Sequence, residues 1–128
     1  MKRTALKRGK PLRRKTWMKS RSAHNAYRRR PRDIAYMRWV KRQQCSVAAH
    51  LSGWEFGPCE GPIEADHAGR RGLGQKAGDD TCIPLCRQHH HDRGTFSGGF
   101  RGWNQEQMRT WLLATILFCQ SQYAIRPR

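Results

Sequence analysis

Apolar residues recur every three or four positions near the C-terminus: Met108, Trp111, Leu112, Ile116 and Cys119, with Thr115 in the same stripe. This spacing predicts one long helix with a core-facing side. Asn104 and Gln107 occupy the N-cap and N3 positions of a capping box, which marks where that helix starts. A shorter helix is predicted with Asp33 as its N-cap and Ile34, Met37 and Val40 toward the core, leaving Arg38, Lys41 and Arg42 outside. Between the two helices the apolar runs shorten and Gly and Pro become frequent, so residues 45–72 read as loops and brief strands. Pro62-Ile63-Glu64-Ala65-Asp66-His67 reads as one strand, and Thr81-Cys82-Ile83-Pro84-Leu85-Cys86 as a second. The segment 68–78 that joins them is a glycine-rich basic loop. His89-His90-His91 then opens a short helix that Gly94 and the Gly98-Gly99 pair break. The pattern predicts an α+β fold, without internal repeats.

Composition limits what this pattern can build. A chain of 128 residues with 37% hydrophobic content buries only a modest core, and such cores are commonly stapled by a metal or by disulfides. The start, Met1-Lys2-Arg3-Thr4-Ala5-Leu6-Lys7-Arg8, is basic with no apolar stretch after it, so it does not read as a secretory signal. The longest apolar run, residues 111–119, is too short to span a bilayer. The expectation is a cytoplasmic protein whose clustered Cys and His side chains bind metal rather than form disulfides.

Charge narrows the choice of partner. Lys and Arg number 26 against 9 Asp and Glu, a net charge of +17, and such an excess points to DNA or RNA. An anionic membrane surface is the rival, but the basic residues do not lie opposite an apolar face. Fourteen of the 26 fall within residues 1–32, which hold no acidic residue. That segment is expected to be a disordered, nucleic-acid-binding arm preceding a domain at 33–128, with Arg13, Arg14, Lys15, Arg28, Arg29 and Arg30 tracking phosphates. Trp17 and Tyr27 could stack on bases or pack on the domain.

Two constellations carry chemistry. Cys45, Cys59, Cys86 and His89 can be drawn into one soft, tetrahedral ligand set, which would select zinc in a closed structural site. Thirteen residues separate Cys45 from Cys59, longer than the usual zinc-knuckle spacing, so a buried Cys45 with His50 completing the site, or no metal at all, stays open. Cys82 and Cys119 lie on apolar faces and read as core residues. The second set is Asp66-His67 with the histidine triplet. Neighbours on a helix are about 100° apart, so if His89 joins Cys86 at zinc, His90 points elsewhere and can meet Asp66. A carboxylate and a neutral imidazole with open positions could hold Mg²⁺ or a similar divalent ion, and His67 could activate water near neutral pH.

Glu64-Ala65-Asp66-His67, the glycine-rich loop and Asp80-Thr81-Cys82-Ile83-Pro84-Leu85-Cys86-Arg87-Gln88-His89-His90 together resemble the core of HNH (ββα-metal) endonucleases. Within that superfamily, the Ile-Pro-Leu-Cys-x-x-His-His-His run, the Gly-Gly segment and the Trp-containing helix are similar to phage recombination-associated nucleases of the Ref type. The resemblance spans roughly residues 45–112. It implies a small zinc-bound ββα-metal core with flanking helices, Asp66 and His90 as ligands of a catalytic cation, His67 as general base, and the cysteines with His89 as the structural zinc site. Thr81 stands where the family places its middle asparagine, and would orient the base loop less fully than an amide. Gly94 stands where a last ligand is often found, which leaves His91, another side chain or water to fill that role. Arg70, Arg71 and Lys76 in the adjoining loop read as a clamp on the scissile backbone, or otherwise as a solvated surface loop.

The implied function is a metal-dependent DNA endonuclease of phage or prophage DNA recombination or processing, working in a bacterial cell, with a recombinase or other recombination protein as a further partner. Two other readings remain: a non-catalytic zinc module that binds DNA or RNA, and a basic RNA-associated assembly protein. The arm can be tested directly. With six to ten phosphate contacts, affinity for DNA should fall about 10³–10⁵-fold between 50 and 200 mM salt. Deleting residues 1–32 should flatten that dependence, and an unchanged slope would assign the binding to the domain instead.

Overall fold

The computed structural model describes residues 32–51, 53–70 and 77–127. The arm, with Arg13, Arg14, Lys15, Arg28, Arg29 and Arg30, and the loop residues Arg71 and Lys76 lie outside the described residues. The elements run in the order α1 (Ile34–Val40), α2 (Ser46–His50), β1 (Ile63–His67), β2 (Cys82–Cys86), α3 (Arg87–Thr95) and α4 (Gln105–Ile125), with short 3-10 turns at Trp54–Phe56, Asp79–Thr81 and Gly98–Phe100. The fold is mixed α+β, a two-stranded sheet set among helices.

β1 and β2 pair antiparallel, with Ile63 opposite Cys86 and His67 opposite Cys82. Every residue of β2 is buried, because helices pack over the strand that β1 leaves uncovered. Pro84 is tolerated there since β2 has only one strand neighbour and its other edge needs no donor. The core gathers Val40, Val47, Ile83, Leu85, Phe100, Met108, Leu112 and Ile116 around this strand. Cys82 and Cys119 belong to it, as packing residues.

α4 follows the predicted stripe closely. Asn104 and Gln107 form a reciprocal capping box, with both hydrogen bonds present at 2.8 and 2.9 Å. Met108, Leu112, Thr115, Ile116 and Cys119 are buried, and Trp111 is half-buried beside Phe100 and Trp103. α4 has 21 residues, yet no helix among the described residues is long and apolar enough to cross a membrane.

Three local expectations are corrected. Asp33 does cap α1, accepting from the Tyr36 amide at 2.9 Å, but Ile34 is 54% exposed. The face turned inward carries Tyr36 and Val40, one turn apart, with Met37 at its edge. Tyr36 outcompetes Ile34 because its ring packs on Trp39 and Tyr123 while its hydroxyl donates to the Cys82 carbonyl at 3.0 Å. The stretch 45–72 contributes α2 and a 3-10 turn besides β1, rather than further strands. Gly94 does not break α3, since a glycine within a helix costs only about 1 kcal/mol relative to alanine. The helix ends instead at Phe96, whose φ of 51° is left-handed.

The turn after α3 is organised by Asp92, whose carboxylate takes Gln88 Nε2 at 2.9 Å and Ser97 Oγ at 3.2 Å. Gly98 lies against it with φ of 56°, and a Cβ there would meet Asp92 Oδ2 at 2.7 Å. Replacing Asn104 with alanine should remove the α4 cap at a cost of about 1 kcal/mol, and thermal unfolding should shift down by about 4–8 °C. An unchanged midpoint would show that the cap contributes nothing to global stability.

Candidate functional site

The first cluster is built where β2 becomes α3. Cys86 is the N-cap of α3, and its sulfur accepts from the His89 amide at 3.4 Å. This places Cys86 and His89 side by side at the first turn. Cys45 arrives from the start of α2, where its sulfur accepts from the Cys86 amide at 3.4 Å. Cys59 comes from the turn before β1. Cys45, Cys59 and Cys86 Sγ lie 3.4, 3.7 and 3.2 Å from His89 Nδ1, and all four ligand atoms fall within 4.8 Å of one another. Tetrahedral zinc with ordinary Zn–S and Zn–N bonds separates sulfur from nitrogen by about 3.6 Å. The cluster therefore could hold a metal ion such as zinc.

His89 is prepared for that role. Its Nε2–H donates to the Phe56 carbonyl at 2.8 Å, which fixes the tautomer and leaves Nδ1 free to ligate. The sulfurs crowd one another, and burial together with the neighbouring Cys45 pushes the Cys59 thiol up to about 12. A cation bound among them would favour the thiolate form instead. His50, the other ligand open from spacing, is exposed and meets Phe118 edge-on instead.

The second cluster lies on the neighbouring face of α3. Glu64 and Asp66 are two apart on β1 and so share one face of the strand. His90 spans them, with Nδ1 2.7 Å from Glu64 Oε2 and Nε2 3.3 Å from Asp66 Oδ1. Asp66 is only 3% exposed and is also gripped by Arg93, whose guanidinium donates to both carboxylate oxygens. Arg87 holds Glu64 from outside at 3.0 Å. Hydrogen bonding to Asp66, and then to Glu64, raises His90 to about 9 against the effect of burial. Burial alone would raise the Asp66 carboxyl, but His90 and Arg93 hold it below the usual carboxylate range. This buried carboxylate is thus balanced by an imidazolium and a guanidinium.

His67 takes a different position. It closes β1, and its Nε2 sits 2.8 Å from Oδ1 of buried Asp79. Among the described residues, His67 forms no hydrogen bond or ion pair with Asp66 or His90. Asp79 itself also receives the Asp33 amide at 3.0 Å, tying the start of α1 to the same carboxylate. Thr81 does not touch His67. Its hydroxyl donates to the Gly78 carbonyl at 2.7 Å and accepts from the Gly69 amide at 3.2 Å, closing the base of the loop. His91 is exposed and stands apart from the Asp66–His90 contact. Arg70 is exposed at the start of the loop.

Asp66 and His90 are therefore brought together, and Cys45, Cys59, Cys86 and His89 form one set, whereas His67, Thr81 and His91 lie outside the Asp66 contact. Glu64, Asp79 and Arg93 were not expected. Strand alternation from Asp66 points to Glu64, and helical spacing from His90 points to Arg93. Asp79 has no such local signal, since it meets His67 from the far end of the loop.

Purified protein should carry one zinc per chain, and Cys86→Ala should abolish it, with loss of cooperative unfolding. His50→Ala should retain full zinc. Elemental analysis with thermal melts would check both, and metal retained in Cys86→Ala would refute this ligand set.

A stretch of 65 residues is 36% identical to a protein of Escherichia coli (strain K12) named "Uncharacterized protein YdfU". The match covers 51% of this chain and 17% of that protein, so the chain spans less than a fifth of the length of its relative. No protein-family model matches the sequence. No solved structure matches it.

Proposed function

We propose that this chain is a metal-dependent nuclease of the HNH (ββα-metal) type acting on DNA, with a structural zinc at Cys45, Cys59, Cys86 and His89. The observation that carries the reading is the direct contact of Asp66 on β1 with His90 on α3, one residue from zinc ligand His89. The order strand, strand, helix from β1 to α3 supports it. So does the charge of +17, which supplies affinity for a polyanion.

One carboxylate and one imidazole suit Mg²⁺ or Mn²⁺ with water completing the shell. Such an ion, when bound, neutralises charge on the phosphate and on the departing 3′ oxygen. The protein residues provide the rest. Asp79 accepts from His67 Nε2–H, which leaves the Nδ1 lone pair available to take a proton from water. Arg93, released from Asp66 when a cation takes its place, would present a planar fork to a phosphate oxygen.

The second reading is a zinc module that binds nucleic acid without cutting it. The Arg93–Asp66 fork favours it, because that contact already satisfies the buried carboxylate. Nicking of supercoiled plasmid with added Mg²⁺ or Mn²⁺ separates the two. His67→Ala, Asp66→Ala and His90→Ala should each lose about 10²–10⁴ in rate, the worth of a general base or its equivalent, while keeping zinc. Absence of cleavage by the wild-type chain, or full activity in His67→Ala, would overturn the nuclease assignment.

A further inference from the structure

Beside Asp66 lies an open concavity of about 770 Å³, within the ~300–1,000 Å³ typical of ligand sites. Three arginines line it: Arg93 from α3, Arg109 from α4 and Arg70 from the start of the loop after β1. Among the described residues, no acidic residue lines it. Arg93 is partly offset by Asp66, whereas neither Arg70 nor Arg109 has an ion pair among the described residues. Three cations converging on one surface repel one another, and an anion bound among them removes that cost. The apolar part of the lining is the α4 face that also carries Arg109: Leu113 stands exposed there, with the buried Leu112 and Ile116 behind it. Leu113 is 59% exposed, although α4 could have carried a polar residue there at no cost to the core.

This pairing of surfaces discriminates among polyanions. A duplex offers its outer phosphates to arginines but keeps the flat faces of its bases stacked inside. Only an unpaired nucleotide presents a phosphate and an apolar base face together. We infer that this concavity binds one unpaired nucleotide of a polynucleotide strand, its phosphate on Arg70, Arg93 and Arg109 and its base or sugar against the exposed Leu113. The inference rests on the nuclease reading for its meaning, since it places an unpaired nucleotide next to Asp66 and so names the substrate class as single-stranded or locally unpaired DNA. Arg93 is the link, being shared between Asp66 and the concavity.

The test is binding by the full, zinc-loaded chain without added Mg²⁺, so that cleavage plays no part. Fluorescence anisotropy would compare a labelled single strand, the corresponding duplex, and that duplex with one unpaired nucleotide. The arm adds phosphate contacts to all three, so their affinity ratios isolate the concavity. Wild type should favour the two unpaired probes. Arg109→Ala should weaken those two by about tenfold, the worth of one charge-assisted contact, and the duplex by less, while Leu113→Glu should weaken the two unpaired probes selectively. Both positions are exposed on α4, and retained zinc with an unchanged melt confirms the fold. Arg109→Lys should recover part of the loss, because charge returns without the fork.

Equal losses on all three probes would show a general phosphate surface and overturn the inference, as would no loss on any. Displacement of the single strand by an acidic peptide, lost in Leu113→Glu, would assign the site to a protein and also overturn it. A chain that shows the expected binding pattern but never cleaves refutes the nuclease reading and leaves the concavity standing. One that cleaves without the pattern does the reverse.

Discussion

Two adjacent histidines on one short helix serve two different clusters, and the local architecture follows from holding that helix still. Successive side chains on a helix diverge by about 100°, so His89 and His90 cannot face the same way. His89 enters the Cys45–Cys59–Cys86 set, and His90 meets Glu64 and Asp66. The angle between these directions is fixed by covalent geometry. What varies in such a helix is its rotation, and here that is locked by the Cys86 sulfur capping the His89 amide and by the Phe56 carbonyl on His89 Nε2. Setting His89 on the sulfurs therefore aims His90 at β1. A zinc ion would stiffen the same joint, coupling a structural centre to the second cluster through a single peptide bond.

The second cluster shows how a buried charge is balanced. An isolated carboxylate as buried as Asp66 carries a penalty of several kcal/mol. The chain meets it from α3 alone, with His90 and Arg93 three residues apart on the same helical face. A hydrated divalent cation delivers the same two positive charges to the same oxygens. Under the proposed function, the electrostatic requirement of Asp66 would thus be met by either arrangement. Such an exchange would leave the Arg93 guanidinium to be placed, and Arg93 also lines the arginine-bearing concavity.

Much of this was legible in the sequence, for reasons particular to each element. α4 was legible because its capping box and apolar stripe are both local signals. The strands were legible because each is short and bounded by breakers, β1 alternating apolar with polar and β2 almost wholly apolar. The Cys45–Cys59–Cys86–His89 cluster was legible because thiolate and imidazole are the ligands that suit a soft metal site. The division of labour between His89 and His90 needed only the helical angle. Tyr36 was missed because a search for aliphatic periodicity overlooks a ring with a polar end. Gly94 misled because propensity is a small term within a helix anchored by Cys86 and Asp92. Asp79 was invisible because its meeting with His67 depends on a loop closure set by Thr81, not on any spacing.

That closure bears on the pairing of Asp66 with His67. Neighbours on a strand face opposite sides, and β1 ends at His67 with its side chain on Asp79 rather than on the His90 side. The two side chains can turn toward a common side only where the strand terminates and the backbone begins to turn, as it does at Ala68 and Gly69. Gly69 makes that turn close: a Cβ there would meet the Thr81 side chain at 2.6 Å, and the Gly69 amide donates to the Thr81 hydroxyl. Thr81 therefore acts on His67 through the backbone, by bringing the two loop ends together so that Asp79 and His67 meet. An asparagine reaching directly for the base would impose orientation from the side chain. Here the same constraint is divided between a threonine that closes the loop and a buried aspartate that holds the ring.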